Sequence, residues 1–217
     1  MSQLIEPRVE DYLRDLDPAE DAALQRVAAV SERLGGLPIV YPETGALLRL
    51  LARAVGARHV LEIGTAIGYS ALWIAPVLPS DGLLISMEID ADLAALARRH
   101  FEEAGVAART SVIVGDASRF LHKVSGPFDL IFQDGDKRLY GPMLNRLVEM
   151  LRPGGVLVTD NVLWSGEVVP GLVDPPILEA ETTDAIRAYN EQLRDERRLM
   201  TVFLPIGDGV AISVKVA

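Results

Sequence analysis

The chain is predicted to fold as an α/β protein around a mostly parallel sheet, and three observations predict it. Apolar runs alternate with amphipathic stretches along most of its length, the pattern of strands separated by helices. Polar and acidic residues gather just after several of those runs, at the carboxyl ends of the strands. The last two apolar runs are joined by Pro205-Ile206-Gly207-Asp208-Gly209, a short Gly-rich connection that makes an antiparallel hairpin.

Taken in order, helical patterns cover residues 8–16, 19–34 and 43–55 before the first strand. Strand 59–63 then leads to helix 70–78, strand 83–88 to helix 91–104, and strand 110–114 to helix 118–124. Strand 128–133, helix 139–151 and strand 156–160 follow. Helix 91–104 has the best-marked ends, with Asp90 placed as N-cap and Gly105 just beyond. A Gly/Pro-rich stretch, 165–176, leads into helix 178–194, and strands 199–204 and 210–216 complete a seven-stranded sheet whose last strand is antiparallel. Helices should cover both faces. No repeat, low-complexity tract or linker divides the chain, so residues 1–217 are expected to form one domain, with 1–56 as an additional helical cap.

With 217 residues, 49% of them apolar, the chain can fill a core of that size. It is acidic, with 31 Asp+Glu against 21 Lys+Arg, and no basic run offers a broad phosphate-binding face. The absence of cysteine removes disulfides, thiolate metal sites and a cysteine nucleophile. No secretion signal is read at Met1–Arg8, and no apolar stretch reaches the roughly 20 residues a membrane helix needs. A soluble cytoplasmic protein without membrane contact is the expectation.

The densest chemistry follows the fourth and fifth strands. Asp134-Gly135-Asp136-Lys137 is answered by Asp160-Asn161, so two carboxylates and an amide oxygen can converge where adjacent strands end. An all-oxygen, net-negative group suits a hard divalent cation such as Mg²⁺. Either piece alone also reads as a helix cap or a turn.

After the first strand comes Glu62-Ile63-Gly64-Thr65-Ala66-Ile67-Gly68-Tyr69-Ser70, a Gly-rich strand-to-helix turn that lets a ligand approach the backbone. It lacks the G-x-G-x-x-G of dinucleotide sites, and Glu62 would repel a pyrophosphate. Glu88 at the end of the second strand can accept from both ribose hydroxyls, and Gly115-Asp116-Ala117 after the third can read an adenine edge. A ribose acid, an adenine contact and no phosphate cradle describe a nucleoside with an amino-acid tail, which S-adenosylmethionine fits. Singly, Glu88 also reads as a solvated strand end and Asp116 as a helix N-cap.

Together these residues resemble the cation-dependent, S-adenosylmethionine-dependent O-methyltransferases, the family of caffeoyl-coenzyme A and, more distantly, catechol O-methyltransferases. The match runs through Leu61-Glu62-Ile63-Gly64…Gly68-Tyr69-Ser70, Met87-Glu88-Ile89-Asp90, Asp134-Gly135-Asp136-Lys137…Tyr140, Arg152-Pro153-Gly154-Gly155, Asp160-Asn161-Val162-Leu163-Trp164 and Leu204-Pro205-Ile206-Gly207-Asp208-Gly209. The resemblance implies a class I methyltransferase fold of Rossmann-like type. It implies that Glu62, Gly64, Thr65 and Ser70, with the Val40 backbone and Asp136, hold the methionine end of the cofactor. Glu88 then takes the ribose, and Asp116 with Ala117 the adenine. Asp134, Asp160 and Asn161 are the implied ligands of Mg²⁺, or of another divalent cation such as Mn²⁺ or Ca²⁺, with Lys137 the catalytic base. Trp164, Ser165 and Tyr41 are placed near the acceptor, a catechol-type phenol; where plant members carry asparagine, this chain has Ser165. A homodimer built on the N-terminal helices is implied by analogy.

Lysine is scarce beside arginine: Lys123, Lys137 and Lys215 are the whole set, yet one stands here. Only lysine can shed its proton to act as a base; a solvated lysine at a helix start is the plainer account. Two other readings compete. Some bacterial relatives methylate a hydroxylated uridine in tRNA, which calls for a basic surface around the site. A non-catalytic S-adenosylmethionine-binding regulator would not need Asp134, Lys137, Asp160 and Asn161 together.

Overall fold

The computed structural model describes residues 7–16 and 20–216. Helices α1 (Pro7–Leu16), α2 (Ala22–Arg33) and α3 (Pro42–Ala54) precede β1 (His59–Ile63). There follow α4 (Tyr69–Ile74), β2 (Leu83–Glu88), α5 (Ala91–Glu103), β3 (Thr110–Val114), α6 (Ala117–Phe120), β4 (Phe128–Gln133), α7 (Tyr140–Met150), β5 (Leu151–Thr159), α8 (Ala180–Asp195), β6 (Leu199–Leu204) and β7 (Val210–Lys215). All seven strands join one sheet in the order β3-β2-β1-β4-β5-β7-β6. Six share a direction; β7 is antiparallel to both neighbours and sits inside the sheet, which leaves β6 at the edge.

Neighbouring side chains along the central strands point to opposite faces, so continuous apolar runs feed two cores. Val60, Leu130 and Val158 pack with Leu24, Leu48 and Trp73 on one face. Leu61, Ile131 and Leu157 pack with Tyr140 and Leu147 on the other. The register then aligns the strand ends. Ile63 pairs with Met87 and with Gln133, and Gln133 pairs with Thr159. The residues that follow (Gly64, Glu88, Asp134 and Asp160) therefore emerge along one edge of the sheet. Strand order reverses between β1 and β4, the crevice where open α/β sheets bind ligands.

Several elements differ from expectation at their ends. Helix 70–78 is α-helical only to Ile74 and ends in a 3₁₀ turn at Ala75–Val77, because Pro76 has no N–H to continue the ladder. The expected helix 118–124 is divided, α-helical only over α6 and continued as a 3₁₀ turn at Leu121–Lys123. β5 starts at Leu151, earlier than expected, with a register irregularity opposite Phe128 and Leu130. Arg152 explains that extension: its Nε donates to Asp129 Oδ1 at 2.6 Å and its Nη2 to the Val55 carbonyl at 3.0 Å. Asp129 Oδ2 accepts the Arg58 and His59 amides, each at 2.8 Å. The starts of β1, β4 and β5 are thereby tied together, opposite the ligand edge. The Asp90 cap and Gly105, at φ +69°, stand at the ends of α5 as expected.

Candidate active site

A cavity of about 540 Å³ opens over the β1/β4 crevice, lined in part by Val40, Tyr41, Gly64, Glu88, Asp116, Ala117, Asp134, Asp136, Lys137, Asp160, Asn161 and Trp164. A second cavity of about 460 Å³ shares Gly135, Asp136, Lys137 and Trp164 and extends toward Ile177 and Glu179. The residues expected at the cofactor, metal and base are thus largely brought together. Three are not at the wall. Glu62, Thr65 and Ser70 are buried, and their side chains close on one another beneath the Gly-rich loop. Glu62 accepts from Thr65 Oγ1 at 2.5 Å, from Ser70 Oγ at 2.6 Å and from the Ser86 hydroxyl. Burial pushes the Glu62 carboxyl up, against the pull of these hydroxyls. The three side chains shape the loop and line neither cavity.

That loop has little freedom. Gly64 lies at φ +88°, and a Cβ there would stand 2.5 Å from the Asp134 carbonyl oxygen. Only glycine lets β1 and β4 end so close together. Glu88 lies at the crevice with both oxygens engaged: Oε2 accepts the Ala66 amide at 2.7 Å and Oε1 the Asp90 amide at 2.9 Å. A carboxylate has further lone pairs, so hydroxyls can still be accepted. Asp116 caps α6 through the Ser118 amide at 2.9 Å and lines the cavity as well, so both of its expected roles meet in one side chain. Asp136 is gripped by Arg138 through Nε at 3.0 Å and Nη2 at 2.7 Å, which holds its carboxyl below the usual range.

At the ends of β4 and β5 the polarity changes. Lys137 Nζ stands 2.6 Å from Asp134 Oδ1 and lies over the Tyr140 ring, 5.3 Å from its centroid. Asp160 is buried, its Oδ1 accepting the Asn161 amide at 2.8 Å. Burial, then the charge of Asp134, drives its carboxyl well above the ordinary value. Lys137 is paired with Asp134, and Asp160 has only the Asn161 backbone amide bonded to it, so two carboxyl groups and the Asn161 side-chain amide bring oxygen donors together at the cavity wall beside one lysine. That donor set fits a hard divalent cation, with Asp134, Asp160 and Asn161 to hold it. Among the described residues no group of three or more His, Cys, Asp or Glu side chains forms a metal cage; the candidate set is two carboxylates and an amide.

Asn161, Trp164 and Ser165 all adopt positive φ, at 59°, 48° and 54°. Trp164 lines both cavities with its indole Nε1 buried and without a hydrogen-bond partner among the described residues. Ser165 lines neither; its amide donates to Asp208 Oδ1 at 2.6 Å. The 165–176 stretch is held by Glu167, whose Oε1 accepts the Ile177 and Leu178 amides at 2.7 and 2.8 Å. Neither Glu167 nor Asp208 is marked by local sequence as a site residue, although the Gly-Asp-Gly of the hairpin turn is a visible signal for the second. His59, His100 and His122 stand apart from the cleft lining; His100 Nδ1 lies 2.8 Å from the Ile67 carbonyl oxygen.

A family model described as O-methyltransferase matches residues 20–216. The chain belongs to that family, the cation-dependent, S-adenosylmethionine-dependent O-methyltransferases. A catechol O-methyltransferase from Niastella koreensis is 34% identical over 99% of this chain and 99% of its own length. The solved structure of the O-methyltransferase TomG from Streptomyces achromogenes, involved in tomaymycin synthesis and in complex with SAM, has a TM-score of 0.84 and 31% identity, covering 97% of this chain and 96% of that one. An O-methyltransferase from Bacillus cereus in complex with SAH has a TM-score of 0.83 and 31% identity, over 96% and 97%. The enzyme is an S-adenosylmethionine-dependent O-methyltransferase with a Rossmann-like fold, which removes the reading as a non-catalytic regulator. No helix among the described residues is long and apolar enough to cross a membrane.

Proposed function

We propose that the enzyme is a Mg²⁺-dependent O-methyltransferase acting on a small phenol with vicinal hydroxyls. The observation that carries this reading is the pair Asp134 and Asp160, with the Asn161 amide and Lys137, in one cavity with the Glu88 and Gly64 shelf. Mg²⁺, or Mn²⁺ or Ca²⁺ in its place, would supply Lewis acidity and a template for two neighbouring oxygens. The chain supplies the rest. Glu88, Asp116 and Ala117 receive the nucleoside, while Gly64, Val40 and Asp136 face its amino-acid end. Lys137, once deprotonated, accepts the acceptor hydroxyl's proton at Nζ. The acceptor oxygen forms its bond to the methyl carbon as the sulfur–methyl bond breaks, and neutral S-adenosylhomocysteine leaves. Charge is dispersed in that step, so positioning by Trp164 and Tyr41 weighs more than added charge stabilisation.

Methyl transfer to caffeic acid, with Mg²⁺ and with excess EDTA, tests the proposal. Turnover that stops with EDTA and returns with Mg²⁺ supports it. Turnover indifferent to EDTA removes the metal, and no turnover with S-adenosylmethionine still bound removes the catechol-type acceptor. The acidic balance speaks against tRNA as substrate.

The wider reading keeps residues 1–217 as one domain acting in the cytoplasm, with 1–56 as cap and dimerisation segment. Val9, Tyr12, Leu13 and Leu16 on α1 are exposed at helical spacing, an apolar stripe suited to a second copy. Sedimentation of the wild type beside Leu13→Asp checks it: a dimer that becomes a monomer is the expected result, and a monomeric wild type rejects it.

A further inference from the structure

We propose that Asp208 is a positioning residue for the candidate metal centre, orienting the Asn161 amide and holding the turn that carries Trp164; this rests on the metal-dependent reading above. Asp208 lines neither cavity, so it acts through its neighbours. It sits in the β6–β7 turn, which packs against the loop after β5. The Val162 amide donates to the Gly209 carbonyl and the Leu163 amide to the Asp208 carbonyl, each at 3.0 Å. A Cβ on Gly209 would meet Leu163 Cγ at 2.3 Å, so turn and loop are in closest contact.

The Asp208 carboxylate then divides its two oxygens. Oδ1 accepts the Ser165 amide at 2.6 Å and Oδ2 accepts Asn161 Nδ2 at 3.4 Å. A carboxamide has one donating and one accepting end. With Nδ2 turned to Asp208, the carbonyl oxygen is the end left for a cation. Asn161, Trp164 and Ser165 also hold left-handed backbone, which L residues keep only where their surroundings enforce it. An unattached amide could turn either way; Asp208 selects the orientation that binds metal.

The test uses the full-length protein in a double-mutant cycle of Asp208→Asn and Asn161→Asp, with Mn²⁺ alone titrated by electron paramagnetic resonance. Asp208→Asn should lower Mn²⁺ affinity about 10–100-fold while S-adenosylmethionine affinity, read by calorimetry, stays within about twofold. The double variant exchanges donor and acceptor, so Asp208→Asn should cost at least about tenfold less in the Asn161→Asp background than in the wild type. Asp208→Ser keeps an acceptor near the Ser165 amide but cannot reach Asn161; it should show the same loss if Asp208→Asn does not fold. Unchanged Mn²⁺ affinity, an additive cycle, or a loss confined to the melting temperature would overturn the proposal. A wild type that binds no Mn²⁺ overturns the metal reading itself, and this one with it.

Discussion

The two sides of the cleft handle negative charge differently. On the β1–β2 side, Glu62 receives three hydroxyls and Glu88 two backbone amides, all from the chain itself. On the β4–β5 side, Asp134 and Asp160 share a lysine ammonium and a backbone amide. The first side is internally satisfied, which suits the preformed nucleoside shelf proposed for it. The second is less fully bonded, with burial and the charge of Asp134 pushing the Asp160 carboxyl up, and it is there that the proposed cation would sit. A binding shelf and a reaction centre are thus distinguishable before any ligand is named, by asking which acids the chain has already answered.

The largest effect expected from breaking this contrast is Asp160→Ala. Methyl transfer at saturating Mg²⁺ should fall about 10³-fold or more, while S-adenosylmethionine binding largely survives. The reverse result, cofactor binding lost with metal affinity intact, would place Asp160 on the wrong side. Lys137→Ala comes next, with turnover reduced about 10²–10⁴-fold and near-normal metal affinity in a calorimetric titration. Lys137→Arg should not restore it, because arginine holds its proton; turnover unchanged across pH in either variant would end the lysine's role as base.

Gly64→Ala probes the seam between the two sides. A Cβ 2.5 Å from the Asp134 carbonyl, at φ +88°, forces β1 and β4 apart. A strain of about 1–3 kcal/mol should lower the melting temperature by several degrees and weaken S-adenosylmethionine binding; a wild-type melt and affinity would show that the strand ends tolerate separation. The smallest effect belongs to Glu62→Gln and is read in the slope of melting temperature against pH. Burial raises the folded carboxyl above its ordinary 4.5, so the folded state binds more protons than the unfolded. Its contribution to stability is full below 4.5 and is lost as pH rises through the higher folded value. The variant should lack that decline, and parallel slopes in the two proteins would remove Glu62 as its source.

Much of the sheet is legible from the residues alone, since β1 to β4 and β6 are apolar runs bounded by turn chemistry. The helix ends are less so: where α4 stops depends on one missing amide at Pro76, and where β5 starts depends on an Arg152–Asp129 contact between residues distant in sequence. The candidate site divides the same way. Asp134, Lys137, Asp160 and Asn161 stand out because unlike polar groups follow apolar strands. The burial of Glu62, Thr65 and Ser70 beneath their loop does not show in spacing, because it depends on Ser86 from the neighbouring strand. Asp208 looks like ordinary turn chemistry until the hairpin is seen against the loop after β5.

Strand β7 follows β5 and β6 in the chain yet lies between them in the sheet. During synthesis, then, β5 lacks its second partner until β7 has been made, and Asp208, which bonds to Asn161 and Ser165, is made only after β6. The strands and loops that line the cleft have by then been made. Chain order thus leaves the contacts that hold Asn161 and Ser165 to the last hairpin, after every residue that lines the cleft.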